Sequence, residues 1–404
     1  MTTTINNEHK KLNVPNLRFP EFQGEWEKCK LGDYGKVVTG NTPPTKDIEN
    51  YENGTYLWAS PADLGIIKSI TETKTMLSAQ GFSKTRTLPK GSVLVTCIGS
   101  TIGKAGMATK EMSTNQQINS IVVNDDNDNE FVYYAIQSAF PRYLSSIAVQ
   151  AVPIISKSAF ELLPNNRPYL QEQKKIGKFL SLLDERIAAQ NKIIDKLQSL
   201  IQGIMVELQK QGVNKGTWKK VFLSDVLTER NERNTNLFQV FSVSVSQGVV
   251  NQVDYLGRSF AAKDTSKYNV VYYGDLVYTK SPTGSFPYGI VKQSINLENV
   301  AVSPLYGVYK PKSLAVGAYL HEYFMSEINT HNYLHPLIQK GAKNTINITN
   351  QRFLESRVPM PVNSNELLLI SKLLYSLNAK IKHVQNTLQE YHKQKQYLLR
   401  QMFI

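Results

Sequence analysis

The sequence predicts an α+β protein written twice. Each copy is a globular domain followed by a long helix, and the two helices pair antiparallel as a coiled coil across a pseudo-twofold axis. Three observations predict this: a heptad seam in mid-chain, its recurrence 194 residues later, and strand-like runs mixed with short helices ahead of each seam.

Residues 174–208 read KKIGKFLSLLDERIAAQNKIIDKLQSLIQGIMVEL. They place apolar side chains at Ile176, Leu180, Leu183, Ile187, Ile194, Leu197, Ile201, Ile204 and Leu208. The steps alternate between four and three, broken only by Gln190. That is the a/d pattern of a coiled coil, not of a helix buried all round. A seam needs a partner. Ile370, Leu374, Leu377, Ile381, Val384, Leu388, Tyr391, Lys395, Leu398 and Met402 repeat the register at an offset of 194, with Val384 for Gln190 and Lys395 for Ile201. Each seam covers 33 residues, roughly 50 Å of helix.

The domains repeat as well. WEKCKLGD at 26–33 matches WKKVFLSD at 218–225, and IISKSAF at 154–160 matches NITNQRF at 347–353, at offsets of 192 and 193. GSVLVT at 91–96 matches GDLVYT at 274–279 at only 183, so loops of different length sit on a shared scaffold. A period this long is two modules, not a solenoid. SVLVTCI, INSIVV, FQVFSVSV and DLVYT read as strands. FVYYAIQSAF and YLHEYFMS read as short helices. Prolines at 153, 164 and 168, and at 359 and 361, are expected to mark the exits into the helices. QKQGVNKGTW at 209–218, with two glycines and no apolar period, reads as the linker. The expected organisation is a first domain at 1–168, first helix and linker at 169–211, second domain at 212–361 and second helix at 362–404. The linker order predicts antiparallel helices with the domains at opposite ends of the pair. It also predicts that residues 1–211 alone would form a symmetric homodimer. The second copy would self-pair more loosely, because its seam carries Lys395.

The 404 residues carry 46 Lys and Arg against 33 Asp and Glu, a net charge of +13 and a pI near 9.4. That balance points to a polyanionic partner such as nucleic acid. The start, MTTTINNEHKK, has no apolar core of a signal peptide, and no run of 18 apolar residues occurs, so secretion and a membrane partner are not expected. Two cysteines, Cys29 and Cys97, suit a reducing cytoplasm.

Catalytic and metal motifs fail on spacing. GSTIGKA at 99–105 has three residues between its glycines and Ala after Lys, where a phosphate loop needs four and Ser or Thr, so it reads as a hairpin turn. HNYLH at 331–335 lacks the Glu and third ligand of a zinc site. NDDNDNE at 124–130 lacks the glycine and closing Glu of a calcium loop. NTPPT at 41–45 does not fit the Asn/Asp-Pro-Pro-aromatic motif of amino-methyltransferases. The expectation is a protein without chemistry of its own and without a bound metal.

Two unlike domains, each followed by a heptad helix, in a basic chain resemble the specificity subunit of type I restriction-modification systems. The residues that carry the resemblance are PNLRFPEFQGEWEKCKLGD at 15–33, LPKGSVLVTCIGSTIGKAG at 88–106 and QEQKKIGKFLSLLDERI at 171–187. The second copy keeps Trp218, Leu223 and Asp225 but lacks the Arg-Phe-Pro lead-in, and its glycine hairpin is rewritten as KSPTGSFPYG. The resemblance implies two target-recognition domains that read a bipartite double-stranded DNA site, one half-site each. It implies two methyltransferase subunits and restriction subunits as partners. No cofactor is implied on this subunit; S-adenosylmethionine, ATP and Mg are implied on the partners. The rival readings are a non-catalytic nucleic-acid scaffold outside restriction-modification, and an enzyme whose constellation hides in the loops, such as Asp63 with Lys104.

Contacts to DNA go largely to phosphate, from Lys, Arg, Ser, Thr and Asn. The candidates in the first domain are Thr42, Thr45, Lys46, Lys84, Arg86, Ser100, Thr101, Gln116 and Asn119. In the second they are Arg230, Arg233, Asn234, Lys263, Lys280, Thr283, Ser285, Lys343 and Asn344.

Overall fold

In a computed structural model, the described residues are 12–65, 67–146, 153–340 and 346–404. The chain forms two compact units, Met1–Asn191 with Thr387–Ile404, and Lys192–Asn386. Each unit therefore takes a domain together with part of both long helices, where the sequence suggests a division into domain and helix.

The first unit is built on a five-stranded sheet. Its order is Gly35–Thr39, Ile118–Val123, Val93–Thr96, Ala105–Ala108 and Ser69–Ile70, with only the last pair parallel. A four-stranded sheet (Thr75–Leu77, Tyr56–Ala59, Met112–Thr114, Thr87–Leu88) packs with it through Leu57, Leu64, Leu94 and Met112. Val93, Leu94 and Val95 are fully buried, so the run reads as uniformly apolar instead of alternating. Helix Asn129–Ser146 buries Phe131, Tyr134, Ile136 and Phe140 against the sheet. It is longer than the sequence suggests and runs through Pro141, because packing on both sides of the proline outweighs the hydrogen bond it cannot donate. Cys29 and Cys97 are buried free thiols, pushed up to about 11 and about 12 by burial.

The second unit repeats the central strands in the same order: Leu227–Glu229, Gly307–Pro311, Leu276–Tyr278 and Val291–Gln293. Its second layer differs. Hairpin Phe241–Ser244 with Gly248–Asn251, and the pair Asn269–Val271 with Val300–Val302, take the place of the four-stranded sheet. Helices Leu314–Tyr323 and Glu327–Leu334 stand where the first unit has one longer helix.

Each unit closes with a two-stranded antiparallel ladder, Glu27–Lys30 with Pro164–Arg167 and Trp218–Phe222 with Arg357–Pro361. Pro164, Pro359 and Pro361 thus lie inside closing strands, not in exit loops. A two-stranded ladder leaves positions where a missing N–H costs nothing. The ladder delivers Trp26 and Trp218 to the first turn of a long helix. Trp26 Nε1 donates to Glu172 Oε1 at 3.3 Å, and Trp218 Nε1 to Glu366 Oε1 at 2.7 Å. In the first unit Arg18 adds a fork on Glu172, with Nε and Nη2 each 2.7 Å from a carboxylate oxygen. The Glu172 side chain is only 1% exposed. Arg18→Ala is therefore expected to lower the stability of the first unit by about 3 kcal/mol, the usual cost of stranding one member of a buried pair. A chemical-denaturation midpoint checks it, and an unshifted midpoint would mean the carboxylate is satisfied without Arg18.

The long helices run Leu170–Asn214 and Ser364–Gln401. The first continues through most of the stretch that reads as a linker. Gly212 is a packing residue: a Cβ there would lie 2.1 Å from Trp218 Cδ1. The turn out of the helix comes at Gly216, with φ +70°. In the first unit Ile176, Leu180, Leu183 and Ile187 share a core with Leu398, Met402 and Phe403, and Leu388 packs against it. In the second, Ile201 and Met205 share a core with Ile370, Leu374 and Ile381, while Ile194, Leu197 and Leu377 pack on its edge. The start of one helix thus meets the end of the other, which is antiparallel pairing. Among the described residues no helix is long and apolar enough to cross a membrane.

Candidate nucleic-acid interface

Sheet register gathers most of the candidates of the first domain. Gly35–Thr39 and Val93–Thr96 end, and Ile118–Val123 begins, on one side of the sheet, since Thr39 pairs with Asn119 and Thr96 with Ile118. Loops 40–47, 97–104 and 115–117 therefore leave the same sheet end. They carry Thr42, Thr45, Lys46, Ser100, Thr101 and Gln116. The 97–104 segment is the expected hairpin turn, with positive φ at Gly99 (+98°) and Gly103 (+91°), which favours glycine at both.

The loop 40–47 is held from below. Trp58 Nε1 donates to Asn41 O at 3.1 Å, and Tyr51 OH to Pro43 O at 2.8 Å. Asn41 joins it to the next segment: its Nδ2 donates to Lys84 O at 2.9 Å, and its Oδ1 accepts from Arg86 N at 2.8 Å. Arg86 Nη1 donates to Thr39 O at 2.8 Å. Lys84 Nζ donates to Asn50 Oδ1 at 2.9 Å, with Asp47 at 3.6 Å. Thr42 Oγ1 donates to Gln116 Oε1 at 2.5 Å. Thr45, Lys46, Lys84, Arg86, Ser100 and Gln116 are exposed, on loops their neighbours fix.

The second unit repeats this geometry. Glu229 pairs with Tyr309, and Tyr278 with both Gly307 and Val291, so loops 230–234 and 279–290 leave the corresponding sheet end. Arg233 is exposed and donates from Nη1 to Asn269 Oδ1 at 2.5 Å and to Lys267 O at 3.1 Å. That contact brings the exposed segment 257–268, with Lys263, beside it. Thr283 and Ser285 lie on the second loop, and Ser285 Oγ donates to Glu327. Lys280 is half-buried with φ +57°, and burial pulls its ammonium pKa below the usual range. Lys343 and Asn344 lie outside the described residues.

Three candidates turn inward and are corrected. Asn119 is 3% exposed; its Oδ1 accepts from Thr39 Oγ1 at 2.7 Å. Asn234 is fully buried and closes a turn onto Phe238 through both ends of its amide. Arg230 makes a fork on Asp275 at 2.6 and 3.0 Å over the Tyr272 ring. Burial works against its charge, yet the Asp275 hydrogen bonds together with the nearby negative charges of Asp275 and Glu232 hold the guanidinium pKa above its ordinary value. These residues shape the loops. A strand end and a solvated loop look alike in sequence when the residue is Asn or Arg. Asn41, which joins two loops, was missed; its place before the Pro-Pro turn was the available signal. Asp63, the acid of the rival constellation, accepts from Ser60 N, Ser60 Oγ and Lys74 N, and so holds its own turn.

Residues 23–199 match the family profile of the type I restriction modification DNA specificity domain. The first half of the chain is thus similar in sequence to the DNA specificity domain of type I restriction-modification systems. It is 31% identical over 182 residues to the type I restriction enzyme MjaIX specificity subunit of Methanocaldococcus jannaschii, covering 43% of this chain and 42% of that protein. It is 28% identical over 186 residues to the HindI specificity subunit of Haemophilus influenzae, covering 44% and 40%. The matched segment thus spans less than half the length of these curated relatives. The fold is similar over nearly the whole chain to the S subunit of a type I system from M. genitalium. That match has a TM-score of 0.63 and 14% identity, covering 97% of this chain and 99% of that one. The family profile lies in the first half of the chain, and the likeness over the whole chain is one of fold alone.

Proposed function

We propose that this chain is a type I specificity subunit that reads a bipartite double-stranded DNA site, one half-site per domain, without catalytic chemistry of its own. It recruits two adenine-methyltransferase subunits and then restriction subunits. S-adenosylmethionine, ATP and Mg belong to those partners, and the complex works in the cytoplasm. The observation that carries this reading is the repetition of one loop cluster, at the corresponding end of the central sheet, in two domains of unlike loop sequence. A scaffold with one function has no need of two such clusters with different side chains. The net charge of +13 supports a polyanionic ligand.

Arg86 and Arg233 test it, because both are exposed and both sit on the clusters. Arg86→Glu and Arg233→Glu are each expected to weaken DNA binding by the assembled methyltransferase complex. Each should also reduce the slope of log affinity against log salt by about one. Fluorescence anisotropy across a salt series measures both quantities. Unchanged affinity and slope in both variants would remove the loop clusters as the interface.

A further inference from the structure

Lys395 is the one charge in either apolar series, where its repeat counterpart is Ile201. It is not stranded. Its Nζ lies 2.6 Å from Asp184 Oδ1, and the two side chains are only 17% and 15% exposed. Tyr134 OH donates to Asp184 Oδ2 at 2.6 Å. Two ammonium groups face the Tyr134 ring, Lys395 at 5.4 Å and Lys68 at 5.5 Å from its centroid. Lys68 in turn donates to Glu130 Oε2 at 2.7 Å and Ser181 Oγ at 2.8 Å. Two cations and two carboxylates thus balance where the helices of the first unit cross Tyr134.

The matched place in the second unit lacks the residues for an ion pair between the long helices. The offset of 194 puts Asn378 where the first helix has Asp184, and Ile201 where the second has Lys395. Asn378 Nδ2 donates to Glu322 Oε1 at 2.6 Å, and Ile201 is 4% exposed in an apolar core. The two long helices are therefore joined by an ion pair at this position in the first unit, and by Asn378 and Ile201, which cannot form one, in the second.

We infer that the Asp184–Lys395 pair selects the helix partner: it favours the first long helix on the second, and disfavours either helix on a copy of itself from another chain. Ile176, Leu180, Leu183 and Ile187 cannot make this choice, because Ile370, Leu374, Leu377 and Ile381 repeat them residue for residue. Two first helices would set Asp184 against Ile201 at both ends, and two second helices would set Lys395 against Asn378. Either arrangement forfeits the ion pair and leaves charges without their partner in a largely buried setting. A single polar element in an apolar seam is an established way to fix the partner in coiled coils. This reverses part of the sequence reading. Asp184 lies beside the seam, outside the apolar series, and it opposes the homodimer of the first copy as Lys395 opposes that of the second.

The test uses the full chain, unfolded in denaturant and refolded by dilution at a series of protein concentrations. Monomer and dimer are read by light scattering. Asp184→Asn with Lys395→Ile copies the second unit's residues into the first. It is expected to refold with a dimer fraction several-fold above the native chain's at equal concentration. A dimer fraction equal to native overturns the inference. Should that variant not refold, the exchange Asp184→Lys with Lys395→Asp decides. It is expected to restore the native monomer fraction, where Asp184→Lys alone and Lys395→Asp alone do not. An exchange no better than the single variants overturns the inference as well.

Discussion

If the proposed function holds, exchanging residues 31–163 for the corresponding segment of a type I specificity subunit is expected to change one half of the methylated DNA sequence and leave the other half as it was. The junctions follow from the structure. They lie inside the closing ladder, so Glu27–Lys30, Pro164–Arg167 and the Trp26–Glu172 contact all remain native. Everything carried by loops 40–47, 97–104 and 115–117 is replaced, while 230–234 and 279–290 are untouched. Each mismatched base pair typically costs about 1–3 kcal/mol, so an exchanged loop set should abolish methylation at the old half-site outright. Methyladenine mapping in cells carrying the chimaera reads the outcome. A change in both halves would show that the domains do not read independently, and would sink the proposal of one half-site per domain.

Leu180→Ala and Leu374→Ala are expected to destabilise the first and second units respectively by about 2–5 kcal/mol, the range for emptying a packed leucine site. Leu180 is 0% exposed and Leu374 is 1% exposed, each in a core shared by both long helices and a domain. Leu369→Ala is the control. It lies on the same helix but is 67% exposed, so its effect should stay within about 0.5 kcal/mol. Urea titrations of the three variants measure the differences. Losses at Leu180 and Leu374 no larger than at Leu369 would mean that the seam leucines do not stabilise the unit each belongs to. Leu197, a prominent seam position in the sequence, is only partly buried. A lysine there can reach water, and the larger losses belong to the two leucines that cannot.

The heptad series and its repeat were legible because they rest on periodicity, which a single sequence states directly. Trp26 and Trp218 were legible as a recurring pattern, though their pairing with Glu172 and Glu366 was not, because each contact spans some 150 positions of chain. The loop candidates were half-legible. Residue type marks what can face DNA, but exposure depends on where the strands around it end. Thus Thr45 and Arg86 stand in solvent, while Asn119 and Asn234 face inward.

By itself, the sequence determined that the chain is a duplication, that each copy ends in a seam helix, and that its charge suits a polyanion. These follow from composition and spacing, which survive without three-dimensional context. Only the tertiary structure decided that Gly212 is a packing residue under Trp218, that Pro164 and Pro361 sit within strands, and that Lys395 is paired with Asp184. The physical reason is common to all three. Glycine, proline and a lone lysine are read locally as interruptions, and whether they interrupt anything depends on the side chain that the fold brings against them.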